Sequence, residues 1–174
     1  MVFRRPVLFW LLPNAVLLAT LVVWGAIRYP HLPDRIPDHI GVDGVDAWTG
    51  RSIGSAFVLV FLYAGVTALI TACAEMTLRR APRDEPPGEA GPHPGRVPSS
   101  PADRPGDRAS ARRSARALLV LNACIGASFL FGCGVLWRST PDPEVPAWLF
   151  AALLLPPLAG TALTVAAAMS GRKC

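Results

Sequence analysis

Charged side chains are missing from four long stretches of this 174-residue chain. Asp, Glu, Lys and Arg do not occur at about 7–27, 53–74, 117–137 and 147–169. As an α-helix, which rises about 1.5 Å per residue, each stretch is long enough to cross a hydrocarbon layer about 30 Å thick. This distribution excludes an ordinary soluble domain. It predicts an all-α integral membrane protein whose four transmembrane helices form two hairpins.

The four predicted spans also lack histidine, so they contain no ionisable imidazole, carboxylate or amine. Ion-coupled transporters, proton relays and intramembrane proteases generally need such groups inside the membrane. The chain has no P-loop, GxSxG or HExxH motif. We therefore expect a protein that is not an enzyme and has no cofactor. Asn14 and Asn122 are the strongest polar groups in the spans, and we expect Asn14 to hydrogen-bond to a neighbouring helix or to the carbonyl that Pro13 leaves free.

Cysteine is scarce, and its spacing fits neither a disulfide framework nor a zinc site. Cys73, Cys124 and Cys133 lie in or beside apolar spans, and Cys174 is the last residue. No CxxC or Cys/His spacing occurs. These residues are predicted to pack as small polarizable side chains.

Basic residues are distributed unevenly between the predicted loops. The net charge is +5, and 13 of the 17 Lys and Arg residues lie in the N-terminal segment, the long middle loop and the C-terminal tail. The positive-inside bias predicts that these three segments are cytoplasmic. Nucleic-acid binding is not expected, because the basic loop has no aromatic residue and no recognition motif.

Residues 81–116 have the composition of a disordered cytoplasmic linker. They contain eight Pro and four Gly, no aromatic residue, and Val97 as the one apolar residue other than Ala. Such a segment cannot bury a core. It divides the chain into a first membrane hairpin at 1–80 and a second hairpin with a short tail at 117–174.

Small residues four positions apart occur in the last two spans, as Ala123-xxx-Ala127 and Ser128-xxx-Gly132 in the third and Gly160-xxx-Thr164-xxx-Ala168 in the fourth. They let helices approach closely and predict packing within a bundle or between two copies of the chain. The pair Pro156-Pro157 removes two helix donors midway along the fourth span and predicts a bend there, with packing favoured over a ligand cavity.

The loop at 28–52 is predicted to be an ordered, extracellular, non-helical segment. Pro30, Pro33 and Pro37 fix their own φ angles and bias the preceding residues toward extended geometry. Asp43-Gly44 is a turn dipeptide. The apolar residues of this otherwise polar loop, Leu32, Ile36, Ile40 and Trp48, predict that it packs back onto the helix ends.

The same loop resembles a bacterial membrane domain of unknown function that occurs at the N-terminus of SdpI-like toxin-immunity proteins. The resemblance covers about residues 10–70 and centres on the pattern L-P-x-x-I-P-x-H, in which Leu32 is the first residue. In its second half Asp46 follows Gly44 by two residues where three are usual, Ile40 replaces an aromatic residue, and Arg51 stands in place of Lys. The motif and its neighbours form the candidate ligand loop: Pro33, Asp34, Ile36, Pro37, His39, Gly44, Asp46, Trp48 and Arg51.

Three interpretations of this loop remain open from the residues alone. A divalent metal would find weak candidate ligands in His31, Asp34, His39, Asp43 and Asp46. A pH-responsive or peptide-binding surface would use His39, which changes charge near neutral pH, beside Asp38. The interpretation we favour is structural: Asp34 and His39 hydrogen-bond backbone groups that the prolines leave open.

The resemblance implies a membrane protein that senses, or confers resistance to, an envelope-acting peptide or stress. The rival interpretations are a small transporter or channel subunit and a scaffold of a larger membrane complex. Expected partners are the lipid bilayer, a peptide toxin or membrane protein, and a second copy of the chain. The expected location is the bacterial plasma membrane, with both termini cytoplasmic.

The predicted topology can be tested with a reporter that is active only outside the cytoplasm. Fused after Ser100, within the middle loop, the reporter should be silent, because the positive-inside bias retains that loop in the cytoplasm. Fused within the 28–52 loop, it should be active. Activity after Ser100 would contradict the topology.

Overall fold

The computed structural model of the chain describes residues 5–41, 44–79, 108–138, 146 and 148–170. In chain order its elements are α1 (Arg5–Arg28), a 3-10 turn (Tyr29–His31), β1 (Arg35–Gly41), β2 (Gly44–Gly50), α2 (Ile53–Ala56), α3 (Val58–Arg79), α4 (Arg108–Leu136) and α5 (Trp148–Ser170). Four of these helices, α1, α3, α4 and α5, are long and apolar enough to cross a membrane. The predicted class, a mainly helical membrane protein with four spans, is confirmed.

Helix α4 begins at Arg108, nine residues before the charge-free run from which the third span was predicted. The segment 108–116, which the sequence placed in the disordered linker, is therefore helical. Arg and Ala are strong helix formers, so the apolar helix continues into its basic flank. A charge-free run marks the part of a helix that lies in lipid. It does not include helical turns that extend into the head-group region, where charged residues are tolerated. The rest of the predicted linker, 81–107, lies outside the described residues.

Helix α4 is the centre of the bundle and packs against α1, α3 and α5. On the α5 side, a Cβ added to Gly160 would lie 3.0 Å from the Cα of Leu121, so the two backbones approach closely. The Ser128 hydroxyl donates to the Leu153 carbonyl at 2.8 Å. The predicted small-residue packing in the fourth span is thus an intramolecular contact with α4. Helix α5 continues through both Pro156 and Pro157.

Two apolar clusters lie at opposite ends of the bundle. At the hairpin end, where β1 and β2 are, the buried cluster consists of Leu21, Leu32, Ile36, Ala56, Val60, Tyr63, Cys133, Leu136 and Trp137. At the other end, which we call the basic end because Arg79 and Arg108–Arg116 lie there, Ala74, Ala115 and Leu119 are buried against partly buried neighbours that include Trp10.

A polar network connects three helices between these clusters. Asn14 of α1 is 1% exposed, and its amide nitrogen donates to the carbonyls of Trp10 and Leu119, each at 3.2 Å. The Leu119 carbonyl belongs to α4, so the predicted bond from Asn14 to a neighbouring helix is confirmed. Asn122 of α4 is fully buried and donates to the Asn14 side-chain oxygen at 2.8 Å.

Helix α3 completes the network with two hydroxyl groups. The Tyr63 hydroxyl donates to the Asn14 side-chain oxygen at 3.3 Å. The Asn122 amide also donates to the Thr67 hydroxyl at 3.0 Å. Since lipid offers no hydrogen-bond partners, these mutual bonds hold the three helices in one rotational setting.

Gly25 gives a direct test of the packing at the hairpin end. An added Cβ would lie 2.7 Å from the Phe57 ring and 2.8 Å from the Trp137 ring, whereas the same atom on Gly65 of α3 meets nothing within 4 Å. Gly25→Ala should therefore lower the free energy of unfolding by about 1–3 kcal/mol, because overpacking displaces two aromatic rings. The matched Gly65→Ala variant should be as stable as the wild type or slightly more stable.

Both variants can be measured by thermal or denaturant unfolding in one detergent. Equal stability of the two variants would contradict the close packing around Gly25.

Candidate functional site

The predicted ordered loop is a two-stranded antiparallel hairpin. Strand β1 pairs with β2 in a register that places Arg35 opposite Gly50 and Pro37 opposite Trp48. The register shifts on each side of His39, because Asp38 of β1 and Asp46 of β2 have no partner on the opposite strand. These shifts form a β-bulge. Proline accounts for the extended backbone, and the bulge turns the local side chains away from simple alternation. The sequence predicted the extended path without predicting the strand pairing.

Arg51 fastens the base of the hairpin. Its backbone N–H donates to the Asp34 carbonyl at 2.9 Å, and its guanidinium donates to the Leu32 carbonyl at 2.7 Å. The same guanidinium lies 3.5 Å from the Asp34 carboxylate and 5.9 Å from the centroid of the Tyr29 ring. The backbone and side chain of Arg51 thus join the end of β2 to Leu32 and Asp34, in the segment before β1.

Helix α2 begins immediately after this clamp, with Ser52 as its N-cap. Ser52 and Ser55 exchange side-chain and backbone hydrogen bonds as a capping box. The Ser55 hydroxyl also contacts the Gly50 carbonyl at 2.8 Å. The hairpin is therefore joined to the helical bundle by a short connection that is held by the hydrogen bonds of Ser52 and Ser55.

Trp137, the residue that follows α4, packs against the base of the hairpin. Its indole N–H donates to the Ala56 carbonyl at 2.8 Å. Its own carbonyl accepts two bonds from the Arg28 guanidinium, both at 3.1 Å. The Trp24 ring packs edge-on against it with centroids 5.2 Å apart. The second helical hairpin thus contacts both ends of the segment that carries the strands.

Neither Trp137 nor Arg28 belongs to the residues predicted from the sequence to hold the loop. A usable signal existed, because each residue ends a charge-free run, where an aromatic ring or a cation commonly sits at the membrane interface. Their mutual contact spans 109 residues of sequence, and no local pattern encodes such a pairing.

His39 and Asp46 form a pair on the exposed face of the hairpin. The His39 Nδ1 lies 2.6 Å from the Asp46 carboxylate, and the two side chains are 68% and 60% exposed. Trp48, which the sequence predicted to lie on the helix ends, is 37% exposed and pairs with Pro37 on the neighbouring strand. We call these three residues the hairpin patch.

The exposure of the pair bears directly on its role. An ion pair that is open to water contributes at most about 1 kcal/mol to stability. The buried residues Leu32 and Ile36, the Arg51 clamp and Trp137 already fix the hairpin. The pair therefore presents an imidazole and a carboxylate to solvent while contributing little to the stability of the fold.

The structure assigns partners that differ from those of the favoured structural interpretation. The His39 ring contacts the Asp46 carboxylate and not a backbone group. The Asp34 carboxylate lies near the Arg51 guanidinium. The backbone carbonyl at the hairpin base is instead bonded by Arg51. The sequence pattern identified the polar residues and did not identify their pairing.

The remaining residues of the candidate loop are distributed between the core and the surface. Ile36 and Pro37 are buried, Pro33 is half-buried, and Gly44 begins β2. The His31 ring bonds to the Ile27 carbonyl at 3.2 Å, away from the hairpin patch. Asp43, one of the weak metal candidates, lies outside the described residues. Within the described ranges, no three His, Cys, Asp or Glu side chains form a group that could hold a metal ion.

Comparison with known proteins identifies one segment of the chain. Residues 15–63 match the family described as Domain of unknown function (DUF1648). No curated protein and no solved structure matches the chain. A membrane-type domain of this family is therefore present from the middle of α1, through the hairpin, to the first turns of α3. Helices α4 and α5 lie outside the match.

Proposed function

We propose that this is a non-enzymatic protein of the bacterial cell membrane that senses, or confers resistance to, an envelope-acting peptide or stress. The hairpin patch is the proposed recognition surface. The observation that carries the proposal is the exposed His39–Asp46 pair on a hairpin that buried contacts already hold in place. The domain found at residues 15–63 contains the whole patch.

The chemistry of the patch is suited to a peptide. The Asp46 carboxylate and the His39 ring can accept and donate hydrogen bonds, and Trp48 offers an apolar surface on the same hairpin. Exposed charges and an aromatic ring on a fixed scaffold are a common arrangement for recognition.

The open edge of β2 gives a second reason to favour an extended peptide. Within the described residues the sheet has two strands, so each strand has one edge without a strand partner. The β1 edge is the poorer acceptor, because Pro37 has no N–H and β1 contacts α2. A peptide can add to β2 by main-chain hydrogen bonds, with the patch reading its side chains.

The distribution of charge supports an outward orientation of the hairpin. It lies at the end of the bundle opposite Arg79 and the basic turns of α4. By the positive-inside bias, the basic end faces the cytoplasm, and both termini lie there with it. The hairpin would then face the envelope, where a peptide or stress ligand arrives.

The polar groups inside the membrane support a role other than catalysis or ion transport. Asn14 and Asn122 bond to each other and to their helical neighbours, so their hydrogen-bonding capacity is used to hold helices together. A transporter subunit or a scaffold of a larger complex is the alternative function. Genes for transporter subunits beside this gene would favour that alternative, and a toxin or regulator gene would favour recognition.

The patch can be tested in a deletion strain that is challenged with a panel of membrane-active peptides and divalent metals. Wild-type protein should restore resistance or signalling to one agent, and His39→Ala or Asp46→Ala should lose it. Loss of one partner of a paired polar contact weakens binding by about 1–3 kcal/mol, or roughly 5- to 150-fold. Arg35→Ala is the matched control, since Arg35 is an exposed charged residue on the same hairpin outside the patch.

Membrane abundance of each variant must equal that of the wild type, which the exposure of these side chains predicts. If both patch variants protect or signal as well as the wild type, the hairpin patch is not the recognition surface.

A further inference from the structure

A groove opens on the side of the bundle between α1 and α5, with α4 as its floor. It encloses a cavity of about 280 Å³. Its walls include Trp10 and Pro13 from α1, Pro156 from α5, and Val120, Ala123 and Ala127 from α4. Small side chains on the floor and a proline on each wall leave room that larger residues would fill.

The groove ends beneath a basic cluster. Arg116 lies on the same face of α4 as Val120, Ala123 and Ala127, because these positions follow it by four, seven and eleven residues. Its guanidinium lies 5.9 Å from the ring centroid of Trp10, which is itself a wall of the groove. Trp10 therefore joins the apolar cavity to a fixed cation at its basic end.

Arg112 extends this cluster by one further turn. Arg112, Arg113 and Arg116 are all exposed, and among the described residues none of them forms an ion pair. The nearby carboxylate of Glu75 is engaged by Arg79. The mouth of the groove thus carries positive charge available to an external anion.

We propose that this groove binds one acyl chain of an anionic phospholipid, with the lipid phosphate against Arg112 and Arg116. The depth of the groove fits this occupant. From Arg116 to Ala127 α4 rises about 16 Å, which is close to the thickness of one leaflet of the hydrocarbon core, about 15 Å. An acyl chain below a head group at the interface spans the same distance.

The charge of the mouth argues for this lipid over a second copy of the chain. A symmetric partner in the same orientation would bring its own three arginines to the same level of the membrane, and like charges would repel. A phospholipid brings an apolar chain and a negative phosphate in one molecule. Both halves of the site are complementary to it.

Native mass spectrometry of the full chain can test the head-group half of the proposal. The probes are dioleoyl phosphatidylglycerol and dioleoyl phosphatidylcholine, supplied in equal amounts. We expect wild-type protein to retain phosphatidylglycerol preferentially. Arg116→Gln should lower that retention about fivefold, and Arg112→Gln/Arg116→Gln should lower it roughly 25-fold, since each basic residue near a membrane surface contributes about 1 kcal/mol.

Arg35→Gln is the matched charge control, because it removes one exposed arginine at the hairpin end. It should leave retention unchanged. Excess inorganic phosphate should not displace the lipid, because free phosphate has no chain for the groove. Equal retention of the two lipids by the wild type, an equal effect of Arg35→Gln and Arg116→Gln, or displacement by phosphate would overturn the proposal.

The apolar half is tested by filling the groove. Ala123→Leu and, separately, Ala127→Leu should lower retention of both lipids, while Ala72→Leu at an exposed position of α3 should not. Unfolding temperatures close to that of the wild type would show that each variant is folded. Unchanged lipid retention in both groove variants would overturn the proposal. So would a change of oligomeric state in those variants alone, which would make the groove a protein interface.

Discussion

The hydrogen bond between Asn122 and Asn14 is the contact on which the rest of the structure depends. It joins the second helical hairpin to the first, at a depth where lipid supplies no alternative partner. An amide has both a carbonyl and an NH₂ group, so one bond leaves further capacity to satisfy. The Leu119 carbonyl, the Tyr63 hydroxyl and the Thr67 hydroxyl provide it from two helices.

Fixing α4 at this level determines what happens at both ends of the bundle. Asn122 lies fifteen residues, or about 22 Å, from Trp137, and six residues, or about 9 Å, from Arg116. The same rotational setting therefore places Trp137 against the base of the hairpin and Arg116 against the face of the Trp10 ring. The two proposed binding surfaces, the hairpin patch and the groove, are thus positioned by one helix.

The four spans and the importance of Asn14 could be predicted from the sequence, because lipid imposes simple rules on charge and on polar groups. The start of α4 was misplaced, since its basic turns are helical and contain no apolar run. The strands were missed because proline hides a β pattern, and the His39–Asp46 pair depends on a bulge that sets the register. The bond from Trp137 to the Ala56 carbonyl spans 81 residues, so it becomes evident only from the folded bundle.

The most direct measurement is a double-mutant cycle on Asn14→Leu and Asn122→Leu, read as the free energy of unfolding in detergent or bicelles. We expect a coupling energy of about 0.6–1.7 kcal/mol, which lies between the average and the maximum found for hydrogen bonds between membrane helices. Asn14→Leu combined with Thr164→Val, which alters the contact of α5 with α4, should be additive within about 0.5 kcal/mol. Additivity of the two Asn variants would contradict the claim that this bond joins the two hairpins.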